Sequence, residues 1–193
     1  MKGVALIVSC SVLLLSACSS QPVEKHKYTL HPVVHDTEYR TAPSVALGRI
    51  ELAPYLRHEG ILIETNAGEV QNAKHNLWAE SLDYSVRRYL QVQLRQALDA
   101  PVALHATASV EVPHIVDVVI HQMHGTESGT IKIVASWQVR NADSAEAPIQ
   151  SEFVATEKLT ADGYPELVRG HKLLLDALAR EIAAAIREYA AAQ

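Results

Sequence analysis

Between Trp78 and Leu98 the apolar positions fall four apart. Leu82, Val86, Leu90 and Leu94 repeat with no Gly or Pro among them, the spacing of one stripe on an α-helix. The opposite face carries Asp83, Arg87, Arg88, Gln91 and Arg95, and Asp99-Ala100-Pro101 supplies a stop. The same period returns after Gly163, where Leu167, His171, Leu174, Leu178, Ile182, Ile186 and Tyr189 share a stripe. Asp162 fits its N-cap, and Pro165 with Glu166 fits its first turn. Elsewhere the period drops to two. Ile131, Ile133, Ala135, Trp137 and Val139 alternate with Lys132, Val134, Ser136, Gln138 and Arg140, which predicts a strand with one core face and one mostly polar face. Ile115 to His121 before it is β-branched and nearly continuous, and Glu152 to Leu159 after it contains Phe153 and Val154. His124–Gly129 and Asn141–Pro148 have turn composition, so the three strands read as an antiparallel meander. From Lys27 to Asn76, three or four short strands are expected, at Tyr28–Leu30, Val45–Leu52 and Ile61–Glu64, with Gly48, Pro54 and Gly60 among them.

The order strands, helix, strands, helix predicts an α+β fold. A mostly antiparallel sheet is covered on one side by two long amphipathic helices, as a two-layer sandwich in a single domain over residues 27–193. An apolar fraction of 48% excludes a disordered chain, and the mean hydropathy of +0.02 excludes a polytopic membrane protein. A formal charge of −5 leaves no basic footprint for nucleic acid.

The N-terminus is a targeting segment. Met1-Lys2 gives one positive charge, Val4 to Leu15 is apolar, and the small pair Ser16-Ala17 follows. This run is too short to span a bilayer as a helix. Leu15-Ser16-Ala17-Cys18 resembles the bacterial lipobox, which implies cleavage by signal peptidase II between Ala17 and Cys18 and lipids on Cys18: a diacylglycerol and an N-acyl chain. Residues 1–17 are then the signal peptide and 18–26 the lipidated Cys and a tether. Cys10 leaves with the leader, so Cys18 is the one cysteine of the mature chain and no internal disulfide forms. Deleting one Lys and no acid takes the formal charge from −5 to −6. By the sorting pattern of such lipoproteins, Ser19 implies the outer membrane.

Chemical motifs are few. His121 and His124 are three apart, and on a continuing strand their rings point to opposite faces, so no metal ligation is expected. His58-Glu59 starts like a zinc-protease motif, but Leu62 stands where the second His belongs. In Gly125-Thr126-Glu127-Ser128-Gly129 the Ser is one place late for a nucleophile elbow, and a hairpin explains the stretch better. Gly48, Gly60 and Gly68 are too dispersed to cradle a phosphate. No cofactor is expected beyond the acyl chains. Pro54, Tyr55, Leu56 and Trp78 stand out: each is either core, with Trp78 at a helix start, or part of a partner surface, where Tyr and Trp are enriched.

Taken in order, Leu52-Ala53-Pro54-Tyr55-Leu56, Gly60-Ile61-Leu62-Ile63, Asn76-Leu77-Trp78-Ala79-Glu80-Ser81-Leu82 and Val86–Leu98 resemble the ABC-type transport auxiliary lipoprotein family, which includes the lipoprotein of the paraquat-inducible intermembrane transport system. Asp162-Gly163-Tyr164 leading into a long helix resembles the family's closing segment. A departure is Glu64, where many relatives carry a basic residue. The resemblance implies a non-enzymatic lipoprotein on the periplasmic face of the outer membrane. Its implied partner is an MCE-domain protein that reaches across the periplasm from an inner-membrane component to move lipids or other hydrophobic molecules. It also implies a homo-oligomeric ring for some members. The alternatives are a periplasmic lipoprotein hydrolase, or a solute- or cell-wall-binding lipoprotein.

Overall fold

The strict alternation of residues 130–141 makes them the centre of a sheet. In the computed structural model, which describes residues 23–34, 38–39, 41–66, 68–107, 112–142 and 147–191, they form β7 (Thr130–Asn141) between β6 (His114–Thr126) and β8 (Ile149–Lys158). Both pairings are antiparallel, as the meander requires. The leader, Cys18 and most of the tether lie outside the described residues, as does part of the Asn141–Pro148 turn.

The remaining strands are β1 (His26–Tyr28), β2 (Val45–Leu52), β3 (Gly60–Asn66), β4 (Glu69–Trp78) and β5 (Val102–Ala103); the helices are α1 (Leu82–Leu98) and α2 (Tyr164–Ala191). All eight strands join one sheet, with β1-β4-β3-β6-β7-β8 along one path and β2 and then β5 on the remaining stretch of β6. The three antiparallel ladders are long. The parallel contacts of β1 with β4, β2 with β5 and β6, and β3 with β6 are shorter, so the sheet is mostly antiparallel.

Hydrophobic periodicity decides which face is covered. Ile131, Ile133, Ala135 and Val139 are fully buried, while Lys132, Val134, Ser136, Gln138 and Arg140 stay partly exposed. Against the buried face α1 sets Leu82, Val86, Tyr89, Leu90 and Leu94, and α2 sets Leu167, Leu174, Leu175, Leu178, Ile182 and Ile186. Gly170 permits close approach of α2 to the sheet, because a Cβ there would lie 2.9 Å from Ile131 Cγ2. The helices are tied to each other by Tyr89 Oη, which donates to Asp176 Oδ1 at 2.8 Å, and α2 is tied to the sheet by Trp137 Nε1, which donates to Glu181 Oε1 at 3.0 Å.

Several expectations need correction. Trp78 closes β4 and does not start a helix: α1 begins four residues later, and the Trp78 N–H donates to the Glu59 carbonyl. β6 runs to Thr126, so the hairpin turn is shorter than His124–Gly129. The first bond of α2, from Leu167 N–H to the Gly163 carbonyl at 3.2 Å, puts the cap at Gly163, one residue after Asp162. Arg87 and Gln91 do not lie on a solvated face. Arg87 donates to the carbonyls of Gly48 and Leu104, and Gln91 to that of Val102, fastening α1 to the sheet edge.

Candidate functional site

Two helices on one face leave the other face of β6, β7 and β8 open, and its polar residues converge on a groove of about 440 Å³. Arg49, Asp117, Ser136, Gln138, Gln150 and Glu152 line it. At its floor, β2 bulges between Leu47 and Ile50 where it runs beside β6. The bulge frees the Arg49 N–H, which donates to Asp117 Oδ1 at 2.6 Å. Asp117 Oδ2 accepts from Gln138 Nε2 at 2.9 Å and Arg140 Nε at 3.3 Å. Burial pushes the Asp117 carboxyl up. The Arg49 N–H, the Gln138 and Arg140 donors and the Arg140 charge outweigh it and hold the pKa below the ordinary value. Gly48 leaves the room this contact needs, since an added Cβ would sit 2.2 Å from Asp117 Oδ1 and 2.7 Å from Ile115 Cγ2. With Arg87 bonded to the Gly48 carbonyl at 2.9 Å from the helix side, the bulge is held from both faces of the sheet.

The rim of this face takes in one residue singled out in the sequence. Pro54–Leu56 form a single 3-10 turn after β2. Tyr55 Oη donates to the His121 carbonyl at 3.1 Å, and His121 Nε2 lies 2.9 Å from Ser136 Oγ. Burial raises the Tyr55 pKa, and the charge of Glu64 adds to the effect. The same Glu64 carboxylate lies 3.8 Å from Nδ1 of the buried His124 and accepts the Gly68 N–H at 3.2 Å. Leu56 and Trp78, expected as partner-surface candidates, are 1% and 7% exposed and belong to the core, because the turn and the end of β4 fold inward together. Pro54 is exposed and Tyr55 half-buried.

Ser136 beside His121 raises the question of nucleophilic catalysis. A working Ser–His pair needs a carboxylate to orient the imidazole and donors to hold an oxyanion. Among the described residues Ser136 is the hydrogen-bond partner of His121, and no carboxylate joins it. The pair also lies on an exposed sheet face and not in a closed, water-excluding site. A bulge between Ile120 and Gln122 interrupts the alternation that was expected to set His121 and His124 on opposite faces. Among the described residues no group of three His, Cys, Asp or Glu is placed to hold a metal ion. Ser128 is a hairpin residue, 2.8 Å from Thr126 Oγ1. The residues missed in the sequence are Arg49, Asp117 and Gln138. An Asp inside the apolar run Ile115–His121 was the available signal, since a buried carboxylate needs partners.

The chain belongs to the ABC-type transport auxiliary lipoprotein component family, whose model matches residues 28–183. It is 27% identical over 169 residues to the intermembrane transport lipoprotein PqiC of Escherichia coli (strain K12), covering 84% of this chain and 87% of that one. The PqiC of Shigella flexneri matches equally. Among solved structures, an uncharacterized protein superposes with a TM-score of 0.73 at 24% identity, covering 84% of this chain and 99% of that one. A protein from Xanthomonas campestris gives 0.60 at 13%, covering 81% and 91%. The protein is thus an auxiliary lipoprotein of a transport system.

Proposed function

We propose that this chain is a non-enzymatic docking component, anchored by the acyl chains on Cys18 to the periplasmic face of the outer membrane. There it receives the periplasmic end of an MCE-domain protein that carries lipids or other hydrophobic molecules from an inner-membrane component. The observation that carries this reading is the family match over 28–183 directly downstream of Leu15-Ser16-Ala17-Cys18. Residues 19–26 give a reach of roughly 28 Å at about 3.5 Å per residue. A triacylated end anchors durably where a single chain does not. Holding the receptor on the membrane makes each later encounter with a tethered partner quasi-intramolecular, so modest contacts suffice. A homo-oligomeric ring belongs to the same reading.

The test is Cys18→Ser in the full-length chain. The variant is expected to lose fatty-acid labelling and leave the outer-membrane fraction, and crosslinked envelopes of the wild type should yield an MCE-domain protein. A free, unacylated amino terminus on the wild-type product by intact mass would overturn the anchoring, and repeated failure to recover an MCE-domain protein would overturn the docking.

A further inference from the structure

The sheet ends on β8, which pairs with β7 alone among the described strands. Its ten residues stay in unbroken register with β7, from Val139↔Ile149 to Thr130↔Lys158, and contain no Pro. Two of the usual means of blunting an edge, bulges and prolines, are absent here, and the charges on the strand are Glu152, Glu157 and Lys158, with Glu157 in register with the buried Ile131.

One hydrogen bond fixes which backbone groups face outward. The Leu159 N–H donates to the Gly129 carbonyl at 2.9 Å, just beyond the Thr130↔Lys158 pair, which makes that pair the non-hydrogen-bonded kind. Alternation then turns the N–H and C=O of Phe153, Ala155 and Glu157 toward β7, and those of Gln150, Glu152, Val154, Thr156 and Lys158 away from it. These five register with Gln138, Ser136, Val134, Lys132 and Thr130 on the open face. All five are exposed, Val154 at 65%.

We propose that the free edge of β8 takes up an extended strand of the docking partner, lengthening the sheet by strand addition. The inference rests on the docking reading above. The chain from Cys18 enters the fold at β1, five strands from β8 in the order β1-β4-β3-β6-β7-β8, or about 24 Å at about 4.8 Å per strand. The anchor thus enters at the opposite end of that strand path from β8. The edge also states the chemistry of its guest. Glu152 calls for a basic residue, Val154 and Thr156 for β-branched or apolar ones, and Lys158 for an acidic one, each at every second position of the incoming strand. A second copy paired antiparallel about Ala155 would match Glu152 with Lys158. It would also set each Glu157 against the buried Phe153 of the other copy, so the partner strand is the better occupant.

The test uses the full-length lipoprotein in cells, with a photo-crosslinking residue at Gln150. In Val154→Pro the ring replaces an outward N–H and leaves the β7 ladder intact, whereas Ala155→Pro removes a ladder bond and serves as the damaged control. The expected result is a crosslink to a segment of the MCE-domain protein with the basic, β-branched, β-branched, acidic alternation. Val154→Pro should reduce it at least tenfold while thermal unfolding and anchoring match the wild type; Thr156→Pro replaces it should Val154→Pro not fold. Crosslinking to another copy of this chain, or a folded proline variant that crosslinks like the wild type, overturns the inference. An MCE-domain protein captured from Tyr55 or His121 but never from Gln150 overturns it too, while leaving the docking reading standing. No MCE-domain protein from any position overturns the docking reading itself.

Discussion

Gly48 and Asp117 show how much one position without a side chain carries. The Asp117 oxygen that accepts the Arg49 N–H occupies the space a Cβ at Gly48 would need. Gly48→Ala must therefore displace a buried carboxylate from three donors or break the bulge. The expected loss is about 1–3 kcal/mol in urea unfolding, the range for overpacking a well-filled site. Paired with Asp117→Ser, which shortens one of the two side chains that clash, the loss should be less than additive, and an additive cycle would place the clash on Ile115 Cγ2, 2.7 Å from the added Cβ. None of this was legible in advance. Gly48 reads as a strand interruption and Asp117 as an oddity in an apolar run, and only the parallel pairing of β2 with β6 brings them together.

Tyr89 joins the two helices, and the interface can be tested through that bond. Tyr89→Phe keeps the ring in the core and deletes the donor to Asp176. The expected cost is about 1 kcal/mol at neutral pH, together with a rise in the Asp176 pKa, because burial already pushes that carboxyl up and the Tyr89 hydroxyl pulls it down. Carboxyl titration by NMR reads the second effect, and an unmoved Asp176 would refute the coupling. Both helices and the meander could be read from the sequence because packing against one face imposes periods of 3.6 and 2 on it. β4 could not. Glu-Val-Gln-Asn-Ala-Lys-His-Asn-Leu-Trp buries only its last two residues, so most of it is held by backbone pairing that leaves no mark on side-chain pattern. The Pro-Tyr-Leu turn was legible as a turn, but which of its side chains reach the surface was not, since Leu56 and Tyr55 differ only in the direction the chain takes into the sheet.

For the molecule as a whole, the buried His171 sets a pH limit. Its ring lies edge-on to Trp78 at 5.7 Å, and neither nitrogen makes a hydrogen bond of normal geometry. Burial, with a smaller contribution from His124, outweighs the opposing pull of the Leu167 and Met123 backbone and lowers its pKa from 6.5 to about 4. A depressed histidine pKa means that the unfolded chain binds the proton first. The neutral ring's contribution is therefore intact above pH 6.5 and lost as pH falls toward 4, by up to about 3 kcal/mol. Urea midpoints across that window should fall for the wild type and stay flatter for His171→Leu; equal slopes would exclude His171 as the source. The entry of the chain into the fold has a mechanical corollary. β1 is three residues long, lies parallel to the end of β4, and is followed by Leu30, which is 1% exposed. If the lipids on Cys18 hold one end while a periplasm-spanning machine pulls on the other, tension reaches the domain through those three rungs and that one plugged leucine. They would yield first, as a fuse that lengthens the leash and spares the sheet behind it.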